Sequence, residues 1–173
     1  VHDMARWIAA ERPHASAPPR IATYHYTNSA FRFYVDAHVT FLDEPNEARA
    51  FFNAPDPFYC LMRSNTLTDD TARLLAEAGC QSISMSLESG SEEVRNKILK
   101  RNLTDEVVVR SFETARRYGL KVFANTMLGI PGTTLADDFK SLQFARRVRP
   151  DAPTFSICCP YPGTEIWEKA VNE

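Results

Sequence analysis

The chain has 173 residues, 44% of them hydrophobic, which is the size of one ordinary globular domain with a buried core. Its 20 basic and 22 acidic side chains give a formal charge of -2, so the charge balance gives no reason to expect nucleic acid or an anionic membrane as a partner. No apolar run approaches the length of a membrane span, and the first residues lack the apolar stretch of a signal peptide. We therefore expect a cytoplasmic protein with no membrane segment.

In the first part of the chain, the pattern predicts two strands with a helix between them. The strands are RIATYHYT (20–27) and PFYCLMR (57–63), the helix covers about 43–52, and WIAAE predicts a further helix before the first strand. Four aromatic side chains between the strands are expected in the core or as a lid over it: Phe31, Phe33, Tyr34 and Phe41.

The rest of the chain repeats one helix and strand unit. Helices are predicted over 69–78, 104–118 and 134–148, each followed by a short strand, at 80–87, 120–128 and 152–159. In the third helix, the spacing places Leu135, Phe139, Leu142 and Ala145 on one face, so this face is predicted to pack against the sheet.

Short apolar strands that alternate with helices of 10 to 15 residues are typical of parallel β/α units, whose crossovers are right-handed. About five strands are predicted, and the first of them is preceded by a helix, as in a chain cut from a larger fold. Because an eight-unit barrel needs about 250 residues, we expect residues 1–173 to form a single partial barrel domain that is a fragment of a longer protein.

The four cysteines show none of the spacings typical of a metal site. Cys60, Cys80, Cys158 and Cys159 form no CxxC or CxxxCxxC pattern, and two adjacent cysteines on a strand point to opposite faces. The residues therefore predict reduced, buried thiols and no metal site in this chain.

The carboxyl ends of the predicted strands carry polar or Gly/Pro-rich sequence, and in parallel folds this edge holds the functional site. The ends are Tyr26 to Ser29, Arg63 to Asn65, Glu88 to Gly90, Asn125 and Thr126 with the following LGIPGTT, and PYPGT. Such a set suits a polar, zwitterionic ligand with a sugar and an aromatic base, because carboxylate and amide groups bind hydroxyls and glycines let the backbone approach a ring. The alternative for Glu88 and Arg101 is a loop with solvated charges.

Three runs carry a family resemblance: LLAEAGCQSISMSLESGSEEVRNKILKRNLTDEVV, ARRYGLKVFANTMLGIPGTTLADDF and FSICCPYPGT. In order and spacing they resemble the later strands of the radical S-adenosylmethionine (radical SAM) superfamily, and in particular the branch with an N-terminal cobalamin-binding domain. The resemblance implies an α/β fold, a partial parallel (β/α) barrel of the radical SAM type whose first strand and cluster loop are missing here.

The resemblance also implies which residues contact S-adenosylmethionine (SAM). Glu88 matches a position that contacts the ribose or methionyl part of SAM, and Arg101 matches a residue that holds the SAM carboxylate. Asn125 matches a position near the ribose. The resemblance therefore implies that Glu88 and Arg101 face opposite parts of one SAM molecule. Gly129 to Gly132 match the turn beside the adenine. The full set of expected SAM contacts is Thr27, Asn28, Arg63, Glu88, Ser89, Arg101, Asn125, Gly129, Ile130, Pro131, Pro160 and Tyr161. No catalytic residue is assigned.

As cofactors, the resemblance implies SAM, a 4Fe-4S cluster whose ligands lie outside this chain, and cobalamin on a separate domain. The implied reaction is reductive cleavage of SAM to a 5'-deoxyadenosyl radical, or methyl transfer by way of cobalamin, with an electron donor such as flavodoxin or ferredoxin and an unknown small-molecule substrate. The chain alone is expected to be inactive. The alternative is a barrel without a cluster that binds a nucleoside-like ligand or acts as a scaffold.

Overall fold

A computed structural model describes residues 20–24, 38–56, 58–62 and 67–172, and the chain divides into two compact units, Val1–Gly79 and Cys80–Glu173. Within these described ranges, each unit contains one three-stranded sheet in which all strands are parallel. Within the described ranges, no helix is both long enough and apolar enough to cross a membrane.

The first unit contains, in chain order, β1 (Arg20–Tyr24), β2 (Val39–Leu42), α1 (Pro45–Asn53), β3 (Phe58–Met62) and α2 (Asp69–Glu77). Strand β1 is central, since Ile21 pairs with Val39 on one side and with Tyr59 on the other. Helix α2 is capped by Thr68, whose hydroxyl accepts a hydrogen bond from the Thr71 amide at 3.2 Å. This contact satisfies one of the free amides of the first turn, as expected of an N-cap threonine.

The second unit contains β4 (Ser82–Glu88), a short π-helix (Val94–Ile98), α3 (Asp105–Arg117), β5 (Lys121–Leu128), α4 (Leu135–Val148), β6 (Ala152–Ile157) and α5 (Glu165–Asn172). Strand β5 lies between β4 and β6. Helices α3 and α4 contact β5 and each other. The core comprises Met85, Leu87, Val122 and Ala124 of the strands and Val108, Phe112, Ala115, Phe144, Ala145 and Val148 of the helices.

Most of the predicted elements are present close to their expected bounds, and the exceptions have physical reasons. Strand β2 was not predicted because VTFL is only four residues long and lies beside the aromatic cluster, so the described part of the chain contains six strands rather than about five. Phe41 of that cluster is exposed on β2. The helix at WIAAE, residues 25–27, 57 and 63, and the other three aromatic residues lie outside the described residues.

The predicted buried face of α4 was wrong. Leu135, Phe139 and Leu142 are exposed, and of the predicted face only Ala145 is buried, together with Ser141, Phe144 and Val148. Both sets recur at helical spacing, so periodicity alone could not decide which of them meets the sheet.

The predicted burial of the thiols was also wrong. All four cysteines are free, but Cys60, Cys80 and Cys158 are half-buried and Cys159 is exposed. Partial burial nevertheless raises the pKa of the Cys80 and Cys158 thiols, so both are protonated at neutral pH.

Candidate functional site

The carboxyl end of β4 leaves the sheet through a tight turn centred on Glu88. The pairing with β5 shifts by one residue between Ser86 and Glu88, so that Glu88 pairs with Thr126. The Ser89 amide then donates to the Leu87 carbonyl at 2.8 Å, and Glu88 has a φ of 61°. A non-glycine residue in this left-handed region is uncommon, and such residues are concentrated at functional sites.

The Glu88 carboxylate lies in an ion pair at the end of this turn. Glu88 is 8% exposed, and its Oε1 accepts a hydrogen bond from Nη2 of Arg101. Half of the Arg101 side chain remains exposed. The chain between them includes the π-helix, and two further left-handed residues, Lys100 and Asn102, lie on either side of Arg101. The site therefore presents a nearly buried anion and a more accessible cation side by side.

Arg95, on the π-helix, is wholly buried. Its Nη1 donates to the Ser89 carbonyl at 2.6 Å, its Nε donates to the Leu103 carbonyl at 3.2 Å, and its Nη2 pairs with Asp105. Its guanidinium carbon lies 5.1 Å from the centre of the Phe144 ring. A buried charge of this kind is tolerated because each of its nitrogens has a partner.

The residues after Glu88 are held against α4. The Gly90 amide donates to Ser141 Oγ at 2.9 Å, and the hydroxyls of Ser89 and Ser141 are 3.4 Å apart. A Cβ atom at Gly90 would lie 2.4 Å from the Lys140 carbonyl oxygen, so only glycine permits this approach. The turn that carries Glu88 is thus attached to a helix of the same unit.

A polar row crosses the exposed face of the sheet below this turn. Ser86, Asn125 and Thr154 are paired in register across β4, β5 and β6. Thr154 Oγ1 donates to Asn125 Oδ1 at 2.8 Å, and Asn125 Nδ2 donates to Ser84 Oγ at 3.4 Å. The row offers amide and hydroxyl groups of the kind that bind sugar hydroxyls.

The turn after β5 is fixed by the first residues of α4. Gly129 and Gly132 have φ values of 63° and 81°, and the Gly129 amide donates to Asp138 Oδ1 at 3.0 Å. Thr134 and Asp137 form a reciprocal capping box at the start of α4. The Lys140 ammonium and the donors of Thr134 lower the pKa of Asp137 from 3.8 to about 2, so Asp137 is ionised near neutral pH.

The chain after β6 lies beside this turn, because the Cys158 amide donates to the Leu128 carbonyl at 2.8 Å. Tyr161 follows and is 68% exposed, and its carbonyl accepts the hydroxyl of Thr164. Lys100 Nζ donates to Glu165 Oε1 at 2.7 Å, which links the loop after the π-helix to α5. The ends of β4, β5 and β6 therefore form one connected edge.

Nine of the predicted SAM contacts lie on this edge: Glu88, Ser89, Arg101, Asn125, Gly129, Ile130, Pro131, Pro160 and Tyr161. Thr27, Asn28 and Arg63 lie outside the described residues. Glu88 and Arg101 were expected at opposite parts of the ligand, whereas the structure joins them in one ion pair.

Sequence reasoning missed Arg95 and the hydroxyls of Ser84, Ser86 and Thr154. The alternation of serine with apolar residues in SISMS could have indicated a polar face of β4. Across the described ranges, no group of three His, Cys, Asp or Glu side chains could hold a metal ion. The charged, amide and hydroxyl groups of the edge suit an organic zwitterion.

Two curated relatives are named as methyltransferases. An uncharacterised methyltransferase of Pyrococcus horikoshii is 30% identical over 109 residues, which are 63% of this chain and 24% of that protein. The bacteriochlorophyllide d C-8(2)-methyltransferase of Chlorobaculum tepidum is 27% identical over 114 residues, 65% of this chain and 25% of that protein. The chain thus spans about a quarter of the length of the curated relatives it matches.

Two solved structures share the fold. The radical SAM methyltransferase TsrM from Kitasatospora setae, with cobalamin and a 4Fe-4S cluster bound, matches with a TM-score of 0.56 at 17% identity, over 69% of this chain and 27% of that one. The Elp3 protein of Methanocaldococcus infernus matches with a TM-score of 0.57 at 17% identity, over 97% of this chain and 44% of that one. The predicted fold class, a partial α/β barrel of the radical SAM type, is confirmed.

The family model that matches this chain is that of the radical SAM superfamily, and it covers residues 30–145. This range includes β2 to β5 and the Glu88, Arg101 and Gly129 positions of the strand-end edge. The match covers more than half of the chain and agrees with the fold of the solved structures. The chain belongs to the radical SAM superfamily.

Proposed function

We propose that this chain is part of a radical SAM enzyme and that the carboxyl ends of β4, β5 and β6 hold SAM. The observation that carries the proposal is the nearly buried Glu88 carboxylate, which is held in a left-handed turn and paired with Arg101. An uncommon backbone conformation is costly, and its presence beside a polar row supports a ligand at this position.

The ion pair complements the methionyl end of SAM. That end carries an ammonium and a carboxylate on one carbon atom. Glu88 supplies a negative charge for the ammonium, and Arg101 supplies a positive charge for the carboxylate. Because the two side chains are adjacent, they suit the two groups of one zwitterion better than two distant parts of the ligand. Arg101 is the more exposed of the two, so its guanidinium can donate hydrogen bonds to a ligand in solution.

The rest of the edge would hold the nucleoside. Asn125, Ser86 and Thr154 supply amide and hydroxyl groups for the ribose. The backbone of Gly129 to Pro131 would lie against the adenine, since Gly129 carries no side chain and the nearest atom to its Cβ position is 3.9 Å away. The exposed ring of Tyr161 would cover the other side of the base.

With a 4Fe-4S cluster bound, one-electron reduction of SAM would give methionine and a 5'-deoxyadenosyl radical, which would remove hydrogen from a substrate. This chain's residues would bind and orient SAM, and we assign no cluster ligand to the residues described here. The methyltransferase names of the relatives, together with the cobalamin in the TsrM structure, support methyl transfer as the overall reaction. A flavodoxin or ferredoxin would supply the electron.

The first test replaces Glu88 by Ala in the full-length protein after iron-sulfur reconstitution. We expect SAM affinity, measured by equilibrium dialysis, to fall at least about tenfold, the effect of losing a hydrogen bond to a charged group. Iron content should stay unchanged. Glu113→Ala, at an exposed position on α3, is the matched control and should leave affinity unchanged. Equal affinity in Glu88→Ala and the native protein would contradict the proposal.

A further inference from the structure

Among the described residues, Arg95 is the one charged side chain that is wholly buried, and it lies between Glu88 and Arg101 in the sequence. Placing a guanidinium in the interior costs free energy unless each donor is paired. A buried arginine therefore points to a role in holding the groups that it pairs with. Those partners are the Ser89 carbonyl after β4, and the Leu103 carbonyl and Asp105 carboxylate at the entry to α3.

The contacts of Arg95 connect the two members of the Glu88 and Arg101 pair. Its Nη1 donates to the carbonyl of Ser89, the residue directly after Glu88, at 2.6 Å. Its own carbonyl accepts a hydrogen bond from the Arg101 amide at 2.9 Å. One residue therefore holds the backbone on both sides of the ion pair.

The π-helix makes this double contact possible. Its wider turn is closed by the Leu99 amide, which donates to the Val94 carbonyl, five residues earlier, at 3.0 Å. The Arg101 amide then donates to the carbonyl of Arg95, the next residue of the π-helix after Val94. An α-helical turn would direct these carbonyls to residues four positions on. Such widened turns are frequent at functional sites.

We propose that Arg95 is a positioning residue for the zwitterion site: it sets the distance and orientation between Glu88 and Arg101 and thereby the affinity for SAM. This inference rests on the proposed role of Glu88 in binding SAM. Arg95 is not exposed at all, so it acts through Glu88 and Arg101 and does not touch the ligand.

A double-mutant cycle separates positioning from general stability. The full-length, reconstituted protein is prepared as native, Arg95→Met, Glu88→Gln and the double variant, and the dissociation constant for SAM is measured by equilibrium dialysis. We expect Arg95→Met to weaken binding roughly tenfold alone but less than about twofold in the Glu88→Gln background, since residues that act through one another are not additive.

Two variants control for folding. Arg95→Lys keeps the charge but loses the fork that reaches two carbonyls at once, so it should show the same coupling to Glu88→Gln at smaller cost to stability. Val108→Ala removes a buried side chain of α3 away from the pair and should lower the melting temperature without changing SAM affinity.

The outcomes distinguish this inference from the proposed function. If Glu88→Gln and Glu88→Ala both leave SAM affinity unchanged, the proposed function fails and this inference fails with it. If the Glu88 variants weaken binding and the Arg95 variants do not, or weaken it by the same factor in both backgrounds, the inference alone is overturned.

Discussion

At the scale of single residues, Thr126 carries a buried hydroxyl directly beside the site. Thr126 pairs with Glu88 across the two strands and is 1% exposed, and its Oγ1 has no hydrogen-bond partner in the described part of the chain. Burying an unpaired hydroxyl costs free energy that a methyl group of the same shape does not incur. The position therefore offers a gain in stability.

We expect Thr126→Val to raise the free energy of unfolding by about 1 kcal/mol, because valine keeps the shape and β-branching and removes the unpaired group. Urea denaturation of the full-length protein measures the change. The matched control is Thr71→Val, at a buried threonine whose hydroxyl contacts Thr68 Oγ1 at 3.1 Å, and this variant should be less stable than the native protein. A loss of stability in Thr126→Val would show that the hydroxyl is paired.

The residue scale also shows what the sequence could and could not predict about the site. Glu88 could be predicted because an acid between hydroxyls at a strand end is unusual. Arg95 could not, because an arginine in a charged segment is ordinarily solvated, and its burial depends on contacts with Asp105 at the start of α3 and with Phe144 of α4. Local pattern contains no information about such contacts.

At the scale of elements, the first turn of α4 holds the glycine turn in place through charged side chains. Asp137 accepts hydrogen bonds from Lys140 Nζ at 2.9 Å and from the Thr134 hydroxyl at 2.8 Å. Its pKa is lowered to about 2, with Lys140 as the largest cause. A carboxylate whose pKa is lowered by folding stabilises the folded state above its ordinary pKa, and this contribution is lost as the pH falls toward 2.

We expect Asp137→Asn to lower the free energy of unfolding by roughly 0.5 to 1 kcal/mol at neutral pH, the usual cost of a weakened cap. The difference from the native protein should shrink as the pH falls below 3.8 toward 2, where the native carboxylate also becomes protonated. Urea titrations at several pH values measure this. In Lys140→Met, the Asp137 titration followed by NMR should move upward; a native midpoint near 4 would contradict the assignment.

Elements also differ in how well they can be predicted. Helix α3 has a capping threonine and a terminal glycine, and these local signals determine its ends. The buried face of α4 was mispredicted because the choice between two apolar faces is made by packing against the sheet. Strand β2 is short, and only pairing with β1 makes it a strand.

At the scale of the whole molecule, apolar side chains remain exposed on the second unit. Leu135, Phe139 and Leu142 form a stripe on α4, and Ile157 and Val171 are more than half exposed on β6 and α5. Contiguous apolar surface of this kind favours association. The chain of 173 residues should therefore self-associate when it is produced alone.

We expect the apparent mass of this isolated chain in size-exclusion chromatography with light scattering to rise with protein concentration. The double variant Phe139→Gln and Leu142→Gln should reduce the rise, because it removes part of the stripe from the surface. Gln143→Leu, at an exposed neighbouring position, enlarges the apolar surface and should increase it. Identical profiles for all three proteins would show that the stripe on α4 takes no part.

The connected site edge is the feature of the whole molecule that sequence predicts best. In parallel strands, the carboxyl ends lie at the same edge, so Glu88, Asn125 and Gly129 could be grouped without coordinates. The ion pair between Glu88 and Arg101 could not be predicted, since it depends on the path of the chain through the π-helix.

The left-handed backbone of Glu88 has a consequence for how this position can evolve. Glycine would occupy the same φ of 61° at lower cost, so selection for stability alone would favour glycine there. The turn is more stable with glycine at this position, whereas the proposed ligand contact needs the carboxylate of glutamate. Under the proposed role of Glu88, drift toward glycine at this position would mark descendants that no longer bind SAM but keep the fold.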